Sequence, residues 1–106
     1  MITMEEFQRI NLRIATVKSV EDHPRADRLY LLRVELGGEE RQLVAGIKEF
    51  YAPEELRGKQ IVVVENLAPA TIRGVESRGM LLAAQDADRI SILIPEKAVT
   101  DGSVVK

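Results

Sequence analysis

The chain of 106 residues contains no cysteine. That absence excludes disulfides, thiolate zinc sites and cysteine nucleophiles together, and it fits a reducing compartment. Histidine occurs once, as His23 beside Pro24. A Ser–His–Asp arrangement is formally available, but no nucleophile motif surrounds a serine. Asp22, His23 and Asp27 can be drawn as metal ligands; the same residues also build a turn, and the turn is the preferred reading. Gly37-Gly38 lacks the helix and lysine that complete a phosphate loop. The carboxylate pairs Glu39-Glu40 and Glu54-Glu55 fall at a hairpin and a helix start, where they read as solvated surface. No catalytic site, cofactor or metal is expected. No apolar run approaches the roughly 20 residues of a membrane span. The acidic start, Met1 to Glu6, lacks the basic-then-apolar order of a signal peptide. The chain is therefore read as cytoplasmic, with no membrane partner. Met1 reads equally as a natural start or as an initiator before an excised domain.

Positive charge and aromatic surface are also scarce. There are 15 Lys and Arg against 17 Asp and Glu, a net charge of −2. Nucleic-acid binders usually carry a basic excess, so any such role here has to rest on a local patch and on shape. Two Phe and two Tyr make a thin stacking platform for single strands. They favour a folded RNA met through its phosphates and 2′-hydroxyls.

What is present is a succession of short strands in one domain, residues 1–106. Residues 4–9 read as a helix with Thr3 as N-cap and Glu6 closing a capping box, and with Phe7 and Ile10 as its apolar contacts. Residues 12–20 alternate and are rich in β-branched side chains, so they form a strand; the alternation slips near Thr16–Val17, which suggests a bulge. Asp22 to Asp27 is a turn. A second strand, 28–36, places Tyr30, Leu32, Val34 and Leu36 on one face and Leu29, Leu31, Arg33 and Glu35 on the other. Gly37-Gly38-Glu39 is a hairpin signal leading to a third strand, 40–46. Pro53 opens a short helix that Arg57-Gly58-Lys59 closes. A fourth strand spans 60–67, a loop with Pro69 and Gly74 spans 68–78, and a fifth strand spans 79–84. A further short strand covers 89–94, and Pro95 and Gly102 mark a loosely structured tail. Three strands, a helix and two more strands are the order of an all-β OB-fold, a five-stranded Greek-key barrel. The barrel covers about residues 11–86. The N-terminal helix and the C-terminal extension fall outside it and are candidates for an oligomer interface.

Within such a barrel, Lys48, Arg73 and Arg78 occupy loops or strand ends, Asn66 ends the fourth strand, and Ser77 and Met80 flank the start of the fifth. These groups can converge on one patch suited to phosphates and bases.

Three stretches sharpen this reading. The first is Asn11-Leu12-Arg13-Ile14 with Asp22-His23-Pro24-Arg25-Ala26-Asp27-Arg28-Leu29-Tyr30. The second is Val44-Ala45-Gly46-Ile47 with Tyr51-Ala52-Pro53-Glu54-Glu55-Leu56. The third is Asn66-Leu67 followed by Arg73-Gly74-Val75-Glu76-Ser77-Arg78-Gly79-Met80-Leu81-Leu82-Ala83-Ala84. In this order and spacing they resemble the tRNA-binding domain appended to methionyl-tRNA synthetases and found in free-standing tRNA-binding proteins, from about residue 4 to the end. The resemblance implies an OB barrel, a homodimer built from the N-terminal helix and C-terminal extension, and tRNA bound by shape. It places the Ser77-x-Gly79-Met80 turn, Asn66, Lys48 and Arg73 at the tRNA-facing site, with Arg28 as a weaker candidate. Structural roles stand beside these: Gly79 as a tight turn, Met80 as core, Asn66 as a strand-end cap. The chain departs from the family at Ala68-Pro69-Ala70-Thr71, which carries no cation, and at Arg78, where glutamine is common. Two or three missing cations weaken RNA binding by roughly one or two orders of magnitude.

The expected function is a non-catalytic tRNA-binding homodimer, as a synthetase C-terminal domain or a free-standing accessory protein partnered with methionyl-tRNA synthetase. The competing readings are a synthetase dimerisation domain with weak RNA binding and an export-type chaperone homologue, for which Leu29 and Leu31 are the only hint of an exposed apolar patch.

Overall fold

A computed structural model describes residues 1–106. Helix α1 (Met4–Phe7) is a single turn, fixed by the expected capping box. The Glu6 amide donates to Thr3 Oγ1 at 3.2 Å, and the Thr3 amide donates to Glu6 Oε1 at 2.9 Å. Strand β1 (Leu12–Asp22) is the longest element and the organiser of the sheet. Its bulge lies between Val17 and Ser19, slightly later than the sequence pattern placed it.

Strands β2 (Tyr30–Glu35) and β3 (Glu40–Ala45) form the expected hairpin. Its turn glycines, Gly37 and Gly38, have φ of 80° and 97°, the left-handed region that a two-residue turn requires. Tyr30, Leu32, Val34 and Leu36 are all buried, as their shared face predicts. Helix α2 (Pro53–Leu56) plugs Leu56 fully into the core. Strand β4 (Gln60–Val64) returns along β1, with Leu12 opposite Val64 and Thr16 opposite Gln60.

The region 68–78 is not a plain loop. It folds into a hairpin of β5 (Ala70–Ile72) and β6 (Val75–Ser77) around the two-residue turn Arg73-Gly74. The expected fifth strand divides at Leu82 into β7 (Met80–Leu81), which pairs with β4, and β8 (Ala83–Asp86), which pairs with β9 (Arg89–Ile92). The tail is ordered as well: β10 (Val104–Val105) pairs with Leu12 and Arg13 of β1.

The main sheet runs β3-β2-β1-β4-β7 with β10 beside β1. It curls until its edges meet near β3. There the Arg78 amide donates to the Gln42 carbonyl at 2.9 Å, and the Val44 amide donates to Ser77 Oγ at 3.0 Å. The all-β class is as expected. The five-stranded Greek-key closure goes further than the backbone ladders, because the seam at β3 consists of these isolated bonds. Ile92, beyond the expected barrel limit at residue 86, joins the core with Leu32, Leu43, Ile61 and Val63. Tyr51 ties this segment down: its hydroxyl accepts from the Ile92 amide at 3.1 Å, and its carbonyl accepts from the Tyr30 hydroxyl at 2.7 Å. No helix is long and apolar enough to cross a membrane.

Candidate nucleic-acid interface

The β5–β6 hairpin organises the site. At its base, the buried Ser77 hydroxyl accepts from Val44 and donates to the Gly79 carbonyl at 3.0 Å. Both of its hydrogen-bonding functions are used inside the fold, so Ser77 positions the hairpin rather than facing solvent. Gly79 follows at φ +132°, where an added Cβ would lie 3.1 Å from the Val64 carbonyl oxygen and 3.1 Å from Leu43. The turn reading of Gly79 therefore holds.

The hairpin tip is held by His23. This buried ring has Nε2 3.0 Å from the Ile72 carbonyl oxygen, and its Nδ1 accepts from the Arg25 amide at 3.0 Å. Because Nδ1 accepts, Nε2 carries the proton and donates to Ile72. Both ring nitrogens are engaged, so His23 fastens the 22–28 turn to the hairpin.

The cations divide into two sets. Lys48 Nζ lies 3.2 Å from Asp22 Oδ1, and Arg28 Nε lies 3.4 Å from Glu49 Oε1. Exposed pairs of this kind contribute about 0–1 kcal/mol, but together they brace the 22–28 turn against the 46–50 segment. Arg73 and Arg78 are exposed and form no ion pair. Arg25, which sequence reasoning passed over as part of a turn, is unpaired too. Its guanidinium lies against Gly74 at the hairpin tip. That contact joins residues far apart in the chain, and nothing local in the sequence signals it.

Asn66 stands apart from this cluster. Its Oδ1 accepts from the Asn11 amide at 2.8 Å, and its Nδ2 donates to the Arg9 carbonyl at 2.6 Å. It clamps the segment between α1 and β1. Met80 is 46% exposed and edges an apolar groove of about 520 Å³, whose walls include Val44, Ile47, Leu67, Ile72 and Leu81. The structure thus gathers Arg73, Arg78, Ser77 and Met80, with Arg25 added, around one hairpin and one groove. Lys48 adjoins the groove wall at Ile47, and Asn66 adjoins it at Leu67.

Residues 12–104 match the family model described as "Putative tRNA binding domain". The chain belongs to this tRNA-binding domain family. The domain is 51% identical over 105 residues to a methionine–tRNA ligase of Pyrococcus furiosus, covering 99% of this chain and 14% of the relative. The chain therefore spans only a small part of the length of the curated relatives it matches. Among solved structures it resembles a MetRS-related protein from Pyrococcus horikoshii, with a TM-score of 0.94, 36% identity, and 100% and 98% of the two chains covered. It also resembles the chaperone CsaA from Bacillus anthracis, with a TM-score of 0.89, 30% identity, and 100% and 99% covered. The tRNA-binding domain in hand thus shares its fold with proteins of about its own length and its sequence with part of a much longer enzyme.

Proposed function

We propose that this domain binds tRNA without catalysing a reaction, recognising shape and backbone rather than base sequence. The observation that carries the reading is that unpaired arginines flank one hairpin of a net acidic chain of this family, Arg25 and Arg73 at its tip and Arg78 at its base. Phosphate contacts dominate the affinity of such interfaces, and the adjacent groove edged by Met80 offers an apolar wall to a ribose or a base. Arg73, Arg78 and Met80 face the RNA. Ser77 and Asn66 hold the backbone that presents them. Lys48 and Arg28 brace the turn and lie close enough to add charge at the margin.

The domain acts as a homodimer in the cytoplasm, either as the C-terminal region of a methionyl-tRNA synthetase or as a free-standing accessory to one. Dimerisation is supported by exposed apolar side chains on both terminal segments, Ile2, Met4 and Ile10 at one end and Leu93, Ile94 and Val104 at the other. β10 sets Val104 and Val105 beside Arg13 and Leu12 of β1, next to the N-terminal segment. A second tRNA contact tethered to a synthetase raises its apparent affinity through effective concentration.

The apolar groove also favours a second reading, a chaperone-type polypeptide site, in keeping with the likeness to CsaA. Titration with tRNA and with an unfolded polypeptide, using the purified chain, separates the two. Saturable tRNA binding with none to polypeptide supports the first reading, and the reverse overturns it.

A further inference from the structure

We infer that Arg25 and Arg73 form a two-guanidinium clamp for an RNA backbone phosphate across Gly74. This rests on the tRNA-binding reading and names the part of the site that would hold a phosphate. The Arg25 guanidinium lies flat over the hairpin tip. A Cβ added to Gly74 would meet its Nη1 at 2.9 Å and its Cζ and Nη2 at 3.1 Å. Three nearly equal distances describe a plane resting on its face. Guanidinium N–H donors lie in that plane, so a group packed by its face keeps its forked edge free for bidentate contact with a phosphate. No carboxylate lies within ion-pair range of Arg25, and no carbonyl accepts from its side chain; its neighbour Asp22 is taken by Lys48. The backbone beneath it is fixed by the His23 bonds to the Arg25 amide and the Ile72 carbonyl.

A second observation comes from Arg73 itself. The Arg73-Gly74 turn joins the last pair of the hairpin, Ile72 opposite Val75, and both turn residues have positive φ, 52° and 85°. Such a turn favours Asn-Gly, and a non-glycine residue held in this region is a cost that points to use. Arginine at the asparagine position gives up turn stability and sets an unpaired cation on the residue next to Gly74, the residue against which Arg25 packs.

The test is a titration of the full chain with bulk tRNA at about 50 and about 200 mM salt. Arg25→Ala should weaken binding roughly 5- to 20-fold at the lower salt and flatten the salt slope by about 0.7–0.9. Arg25→Lys should restore the slope but not the full affinity, because it keeps the charge and loses the fork. Arg73→Asn should bind more weakly while melting at the same temperature as the parent or higher, which separates binding from folding. Arg57→Ala, which removes one charge at the end of α2, should bind within about twofold of the parent. Unchanged affinity and slope for Arg25→Ala, or equal losses for Arg25→Ala and Arg57→Ala, would overturn the clamp while tRNA binding stands. Absence of tRNA binding by the parent chain would overturn the clamp together with the reading beneath it.

Discussion

The Val44 amide donates to the Ser77 hydroxyl at 3.0 Å, and this side-chain contact stands at the seam where the curled sheet meets its own edge. Ser77→Ala strips the partner from a part-buried amide and from the Gly79 carbonyl at once. An unsatisfied buried group costs about 1–3 kcal/mol, so denaturant unfolding should show a loss of that size. The tRNA affinity of the folded fraction should fall less than it does for Arg73→Asn, since Ser77 acts through the hairpin.

Gly79 is the most constrained position of the site. Alanine there combines φ +132° with a Cβ 3.1 Å from the Val64 carbonyl oxygen. That oxygen belongs to a core strand and cannot rotate away. Strain at a special φ together with overpacking costs roughly 2–4 kcal/mol. Thermal melting of Gly79→Ala should show a larger loss than Ser77→Ala.

Asn66 tests the link between the N-terminal segment and the barrel. Asn66→Asp keeps the acceptor for the Asn11 amide but sets a carboxylate oxygen against the Arg9 carbonyl. Amide hydrogen exchange in α1 and at Asn11 should speed up, with global stability lowered by about 1–2 kcal/mol. Unchanged exchange would show that the Asn66 bridge does not hold this segment.

Much of this architecture was legible beforehand, and the misreadings share a cause. The capping box at Thr3 and Glu6, the buried face of β2 and the Gly37-Gly38 hairpin rest on local side-chain chemistry, and each appears where the sequence places it. The β5–β6 hairpin reads as a loop in the sequence because its strands have three residues each, too few for an alternation to register, and its turn is Arg-Gly rather than Asn-Gly. The tail reads as loose because long-range bonds hold it: the Gly102 amide donates to the Ile14 carbonyl at 2.7 Å, the Thr16 hydroxyl donates to Asp101 Oδ1 at 2.6 Å, and the Gln60 side chain bonds the Val99 backbone. Partners in these long-range bonds of the tail lie 39 to 89 residues apart, so no local pattern carries a trace of them. The site divides the same way. Arg73 and Arg78 were identifiable as loop cations, whereas the burial of Ser77, the pairing of Arg28 and Lys48 and the placement of Arg25 are tertiary.

The exposed terminal apolar residues give a prediction for assembly. Ile94 is 54% and Val104 59% exposed. Lysine at either position would set a charge into an apolar interface. Sedimentation of the parent chain should show a dimer, and Ile94→Lys or Val104→Lys should shift it toward monomer with little change in the melting of the isolated fold. A parent chain that is monomeric at all concentrations would remove the dimer from the account.

The salt dependence of tRNA binding reports how many phosphates the domain engages. Three cations on one protomer imply a slope of log K against log salt near −2 to −3, and two protomers engaging one tRNA about double that, taking coefficients of about 0.7–0.9 per phosphate contact. Between about 50 and about 200 mM salt, one protomer's contacts should lose roughly 20- to 40-fold in affinity. Binding to bulk tRNA should be saturable and tighter than to duplex DNA of similar length, with a slope in this range that flattens in Arg73→Asn. Absence of saturable binding at the lower salt, or binding that ignores both salt and Arg73, would contradict the tRNA-binding reading.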